Sequence, residues 1–328
     1  MAAEQKKADG VFEGGGVKGI GLVGAVAKAE ELGYQFENVA GTSAGAIVAA
    51  LVAAGYNAQE IKKILHSLNY NDFKDPGALN KIPLVGPLLR LSFHKGLYQG
   101  EFIGTWLKKL LAEKGVHTFG DLVIEDYQDS PKYRYKLRVI ASDITSGELL
   151  VLPQDISRFD LQPDDLEVAR AVRMSACIPL FFEPVQLKAP GKVTNHIVDG
   201  GVLSNYPIWL FDEEHDAPAW PTFGFKLVEP REGMPRRITG PVTMLTALFA
   251  TMMEAHDARY IADHNFARTI PIPTLGVKTT DFDLSGEKSD QLYQSGYTAA
   301  AQFFQRWDFQ QYISTYRQGP VRARRERI

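Results

Sequence analysis

A single cysteine, Cys177, occurs in 328 residues. No internal disulfide can form, so folding does not depend on an oxidising compartment. No apolar run approaches the length that crosses a bilayer. The opening residues, MAAEQKKADG, lack the apolar middle of a cleaved secretory signal. They read as a flexible lead-in, and the expected location is cytoplasmic, at most peripheral to a membrane. Positive charge is not in excess: the formal net charge is -3. That balance argues against nucleic acid as a partner over the whole chain. Only VRARRERI at the C-terminal end is locally basic, either a solvated tail or a patch for anionic lipid. Metal-ligand spacing is missing too, so neither a metal nor another cofactor is expected. Protein partners and oligomeric state are not legible.

What is present is ample apolar content, 45% of residues, and an alternating pattern. GVFEGGGV over 10–17 reads as a first strand broken by glycines. KGIGLVGAVAKAEELG follows as a helix that stops at Gly33. NVAGTSAG is strand and turn, and AIVAALVAAG is an apolar helix buried on most sides. Strand, glycine loop, helix, strand, serine turn, helix implies a parallel sheet with helices packed on it. LNKIPLVGPLLRLSFHKGLY mixes proline with large apolar residues and is no continuous helix. It is either a lid over a greasy cleft or an insertion packed on the core. GEFIGTWLKKLLAEKG predicts an amphipathic helix, and KYRYKLRVIASDITSGELLVL predicts two strands around a turn. LEVARAVRMSACIP is helical up to Pro179, and FGFKLV is a strand. A helix over 241–261 carries Met244, Leu245, Leu248, Phe249, Met252 and Met253 on one face. Core packing is the expected use of that stripe, and a soft surface for acyl chains is the alternative.

Three short segments carry chemistry. Gly41-Thr42-Ser43-Ala44-Gly45 fits G-x-S-x-G, a strand turning sharply into a helix with a serine at the bend. A serine hydroxyl needs a base. Seven histidines are available, and none stands in a context that marks it: His66, His94, His117, His196, His215, His256 and His264. VDGGVLSNYP instead places Asp199 at the end of an apolar strand. At the C-terminal edge of a parallel sheet, where ligands bind, it would project beside Ser43. Taken alone, Asp-Gly-Gly is equally a simple turn. The third segment, EGGGVKG over 13–19, exposes successive backbone N–H groups before a helix, a geometry that holds an anion. It is neither a Walker A loop nor a dinucleotide fingerprint, because its glycines are contiguous. An oxyanion hole remains. Lys18 either adds positive charge there or faces solvent.

Gly14-Gly15-Gly16-Val17-Lys18-Gly19, then the Ser43 motif, then Asp199-Gly200-Gly201, in this order, resembles the patatin-like phospholipases. ARAVRMSACIPLFFEPV, with Ser175 and Pro179, and Asn205 and Pro207 after the Asp-Gly-Gly are similar to further family features. The resemblance implies a three-layer α/β/α fold with a mostly parallel central sheet. The catalytic domain would span 8–212, with 213–328 a helical and strand extension packed on the same domain. It implies a Ser43–Asp199 dyad without histidine, an oxyanion hole of Gly14, Gly15 and Gly16, and supporting roles for Lys18 and Ala44. The expected activity is lipid acyl hydrolysis of the phospholipase A or lysophospholipase type, through an acyl-enzyme, with transient contact to a membrane surface. An acyltransferase, a short-chain carboxylesterase and a lipid-binding protein with a misaligned dyad are the alternatives.

Overall fold

The computed structural model describes residues 6–73, 95–188, 191, 193–212, 218–229, 238–240, 244, 247, 248, 251, 252, 263–279 and 281–316. Its strands are β1 (Lys6–Phe12), β2 (Tyr34–Thr42), β3 (Gly96–Tyr98), β4 (Leu137–Asp143), β5 (Glu148–Leu152), β6 (Leu180–Phe182), β7 (Val185–Lys188), β8 (Thr194–Asp199), β9 (Thr222–Val228) and β10 (Thr269–Pro273). Five of them, in the order β10-β9-β1-β2-β4, form a parallel sheet. β1 lies in the middle, so both its faces are covered and its last five residues are buried. β9 and β10, beyond residue 212, extend this same sheet.

Side chains alternate across the strands. Phe12, Val39 and Val139 join the main core, while Val11, Ala40 and Ile140 enter a smaller one on the opposite face. Against the main face pack helices α1 (Gly19–Glu31) and α2 (Ala44–Ala53). Every residue of α2 is buried, as its unbroken apolar sequence requires. Tyr206, Ile208, Leu210 and Phe211, in and just before the helical turn Ile208–Phe211, cover the other face. Further helices are α3 (Ala58–Ser67), opened by an Asn57–Glu60 capping box, α4 (Glu101–Glu113), α5 (Val168–Ser175), α6 (Gly286–Phe304) and α7 (Phe309–Tyr316). α6 lies directly on α1. A Cβ on Gly296 would stand 1.8 Å from the Gly21 carbonyl oxygen, and one on Gly24 1.9 Å from that of Tyr293. Only bare glycine lets the two backbones approach so closely.

The edge of the sheet decides where the site lies. Val139 and Ile140 pair with β2 on one side and β5 on the other; Ala141, Ser142 and Asp143 pair with β8 and β5. β5 runs along one flank of β4 throughout, so β2 and β8 must share the opposite flank, end to end. Thr42 is opposite Ile140, and Asp199 is opposite Ala141. The carboxyl ends of β2 and β8 therefore meet head to head.

That arrangement corrects one expectation: β8 is antiparallel to β4, so Asp199 reaches the ligand edge from outside rather than at the end of a parallel strand. The first strand also begins earlier than expected and ends at Phe12, the last residue paired to both neighbours. Gly16–Lys18 form a 3-10 turn instead. On the methionine stripe, Met244, Leu248 and Met252 are 50%, 51% and 39% exposed, so these three do not serve the core. The remainder of that stripe, the segment 79–94 and the basic tail lie outside the described residues.

Candidate active site

β2 delivers Ser43 into a sharp bend with φ 54° and ψ −124°. A non-glycine residue here is strained, by about 1–3 kcal/mol, and persists only where its surroundings enforce it. The flanking glycines are part of that enforcement. A Cβ on Gly41 would lie 2.3 Å from the Gly45 carbonyl oxygen, and one on Gly45 2.2 Å from that of Phe12. Ser43 N–H donates to Ser175 Oγ at 2.9 Å, and Thr42 Oγ1 donates to the Ser204 carbonyl at 3.0 Å. Ser43 itself is only 5% exposed.

Asp199 closes β8 and caps the following turn, its Oδ1 accepting Gly201 N–H at 2.8 Å. Gly200 must be glycine, because a Cβ would stand 2.3 Å from the Ile140 carbonyl oxygen. Asp199 is 1% exposed, and burial pushes its carboxyl from 3.8 up to about 7, against opposing stabilisation from the Ser43 side chain and Gly201 N–H. Oδ2 is buried without a hydrogen-bond partner of normal geometry. A buried acceptor left open is costly. The Ser43 and Asp199 side chains are brought together at the β2–β8 junction.

The glycine loop is fixed from four sides. Glu13, buried at the end of β1, accepts from Leu227 N–H and from Lys226 Nζ at 2.9 Å. Asn205 accepts Gly14 N–H on its carbonyl at 3.1 Å and donates from Nδ2 to the Gly14 carbonyl at 3.2 Å. Val17 N–H donates to the Thr279 carbonyl at 3.3 Å, and Lys18 Nζ donates to Glu229 Oε1 at 2.7 Å. Gly14 therefore departs from the expected role: its N–H is spent on Asn205, and it holds the loop instead of facing the site. The N–H groups of Gly15, Gly16 and Ala44 donate to no protein acceptor among the described residues. Lys18 is a buried cation, and its partner is Glu229, so it braces the loop rather than facing solvent. Gly16 is the least replaceable of the three glycines. Its φ is +57°, and a Cβ would lie 2.1 Å from the Thr279 carbonyl oxygen. Gly16→Ala is expected to cost about 10²–10³ in turnover, the loss typical of one displaced oxyanion donor, measured as kcat on an acyl ester.

Ser43 opens into a cleft of about 610 Å³ of non-atom space, mouth included, lined by apolar groups such as Ile47, Leu65, Trp106, Ile178, Phe182 and Phe282. Among the described residues no histidine lines it. His196 is three residues from Asp199 on β8, hence on the other face of the strand, and is engaged with Thr145 at 3.4 Å. His66 and His117 lie elsewhere, His66 3.8 Å from Asp290; His94, His215 and His256, like the side chain of His264, fall outside the description. No group of three or more metal-ligating side chains occurs among the described residues. No helix among them is long and apolar enough to cross a membrane.

Sequence reasoning missed Glu13, Leu227, Glu229, Thr279 and Phe282 as parts of the site. They come from strands and loops far apart in the chain, and only folding reveals the juxtaposition.

Comparison with known proteins agrees with this architecture. The chain is 42% identical over 304 residues to the Bacillus subtilis protein YqhO, covering 92% of this chain and 99% of that one. A probable lipid hydrolase, 463L, of Invertebrate iridescent virus 6 is 27% identical over 209 residues, 63% of each chain. The crystal structure of VipD from Legionella pneumophila superposes with a TM-score of 0.54 at 18% identity, covering 93% of this chain and 67% of that one; at that identity the likeness speaks to the fold. The family model described as patatin-like phospholipase matches residues 10–212, which include all three motifs. With that match, and the α/β fold on which those motifs meet, this chain belongs to the patatin-like phospholipase family.

Proposed function

We propose that this protein is a lipid acyl hydrolase of the phospholipase A or lysophospholipase type, working through a Ser43–Asp199 dyad. Family membership makes lipid hydrolysis the class of reaction. The finer reading rests on one observation: the buried Asp199 carboxyl interacts with the side chain of a strained Ser43 that lines an apolar cleft.

Ser43 Oγ attacks the ester carbonyl while Asp199 Oδ2 takes its proton. The developing oxyanion accepts hydrogen bonds from the N–H groups of Gly15 and Gly16. Collapse breaks the bond to the alcohol oxygen, which leaves with the proton from Asp199. Asp199 then removes a proton from water as the water attacks the acyl-enzyme. The fatty acid departs, and the proton returns to Ser43 Oγ. The apolar cleft supports a long acyl chain, since its walls exchange water for methylene contact at about 0.8 kcal/mol per buried CH₂. On this reading the part beyond residue 212 contributes to the same catalytic unit, because β9, Thr279 and Phe282 finish the site.

The test is mass spectrometry of lipids released from a mixed phospholipid extract by the wild type and by Ser43→Ala. Fatty acid and lysophospholipid appearing only with the wild type are expected. Liposome binding without release of any acyl group would leave a lipid-binding protein instead. Phe282, stacked on Phe181 with centroids 5.3 Å apart, forms one wall of the cleft. Phe282→Ala is expected to lower kcat/KM about 10-fold for long-chain p-nitrophenyl esters and to leave butyrate esters within about 2-fold. Removing one aromatic wall costs binding energy only to chains that reach it.

A further inference from the structure

α5 ends at Ser175, and the turn after it, Ala176-Cys177-Ile178, runs to the cleft wall. Two hydrogen bonds leave this short segment in opposite directions. Ser175 Oγ accepts the backbone N–H of Ser43 at 2.9 Å. The Cys177 carbonyl accepts the backbone N–H of Asp199 at 2.8 Å. Ser43 comes from the end of β2 and Asp199 from the end of β8, and neither strand is paired to the other. This turn is bonded to the backbone of both residues. Ser175 and Cys177 are both 0% exposed, so neither bond competes with water.

We propose that Ser175 is a positioning residue, which holds Ser43 in its strained backbone conformation and, with the Cys177 carbonyl two residues on, sets the distance between nucleophile and base. The inference rests on the dyad reading above.

Three physical points carry it. First, a serine at φ 54° and ψ −124° relaxes unless something outside the bend restrains it. The glycines permit the bend, and the Ser175 bond restrains it. Second, the Ser43 N–H is thereby occupied. It cannot also stabilise an oxyanion, and that duty falls to the free N–H groups of the glycine loop. Third, the Ser43 and Asp199 side chains interact directly, and where β2 and β8 end sets that contact. Its geometry during attack depends on small backbone placements, and a misplacement near 1 Å costs about 10²-fold in rate. The Cys177 side chain takes no part: burial raises its thiol pKa, and Sγ lies 3.1 Å from the Glu183 carbonyl.

The test compares wild type, Ser175→Ala and Ser175→Cys, the last keeping a weak acceptor of similar shape. For each, kcat and KM on a p-nitrophenyl acyl ester and the rate of Ser43 labelling by a fluorophosphonate are measured, scaled to the folded fraction from circular dichroism. The expected result is a fall of about 10- to 100-fold in kcat for Ser175→Ala, KM within about 2-fold, labelling slowed in parallel, and Ser175→Cys between the two. An alanine variant with wild-type kcat and labelling rate overturns the proposal and leaves the dyad standing. So does a loss that vanishes on scaling to the folded fraction, or a cysteine variant no better than alanine. A wild type unlabelled at Ser43 overturns both the proposal and the dyad.

Discussion

Ser43→Ala is expected to lower turnover of a p-nitrophenyl acyl ester by about 10⁴- to 10⁶-fold, the range seen when the attacking group of a serine hydrolase is removed. The change deletes the atom that becomes acylated; the neighbouring Ser175 hydroxyl is 0% exposed and already accepts the Ser43 N–H. Among the described cleft-lining residues the only other hydroxyls are on Thr279 and Tyr70, and neither interacts with Asp199. What survives is the cleft and the free amides of Gly15 and Gly16, which bind the ester but form no covalent intermediate. Stability should change little, by about 1 kcal/mol or less. Alanine meets the same backbone strain as serine, and the Ser43 N–H bond to Ser175 is a main-chain bond that the substitution keeps. Native circular dichroism together with lost turnover is the expected pair of results. Turnover retained in the variant would place the nucleophile elsewhere. Fluorophosphonate should label the wild type at Ser43 alone.

Much of this site was legible in the sequence because each motif is a local geometric demand. Gly41 and Gly45 permit the bend that lifts Ser43, Gly200 lets the chain pass over β4, and Gly16 adopts a positive φ. Each is a glycine for a reason within a few residues of it or at one close contact. The direction of β8 was not legible, since a short segment such as Thr194–Asp199, with Ile197 and Val198 as its apolar residues, reads identically beside a parallel or an antiparallel partner. Nor was the fate of the Gly14 N–H. That depends on Asn205, 191 positions away, and on Glu13 gripping β9 across the sheet. The Lys18–Glu229 pair and the Thr279 carbonyl against Gly16 belong to the same class. Their partners, Glu229 and Thr279, lie beyond the residues that carry the motifs, and a contact between distant segments leaves no periodic trace in either. Ser175 is intermediate: its segment was conspicuous as a pattern, while its partner was invisible until β2 and α5 were packed together.

Asp199→Asn tests the base, and its effects on activity and stability should run in opposite directions. Asparagine is nearly the same shape but accepts no proton at this pH, so turnover should fall by about 10³- to 10⁴-fold or more, in line with the loss of the acidic partner in other serine hydrolases. Retained turnover would return the role of base to a histidine. The wild type should show an acid limb in kcat/KM near pH 7, where the buried carboxyl, raised from 3.8 to about 7, passes into the form that accepts a proton. Stability follows the same titration with the reverse sign. Between about pH 4 and 7 the folded state holds a proton that the unfolded chain has released, so unfolding becomes easier as pH rises, by up to an order of 4 kcal/mol above pH 7. Asp9, in the middle of β1, is raised to about 7 by burial as well and adds to the trend in both proteins. The difference between them isolates Asp199. Asp199→Asn should match the wild type in thermal midpoint near pH 5 and exceed it near pH 8, because the variant no longer buries an unpaired charge. A variant less stable than the wild type at pH 8 would mean that the ionised carboxylate is held by partners the site does not contain.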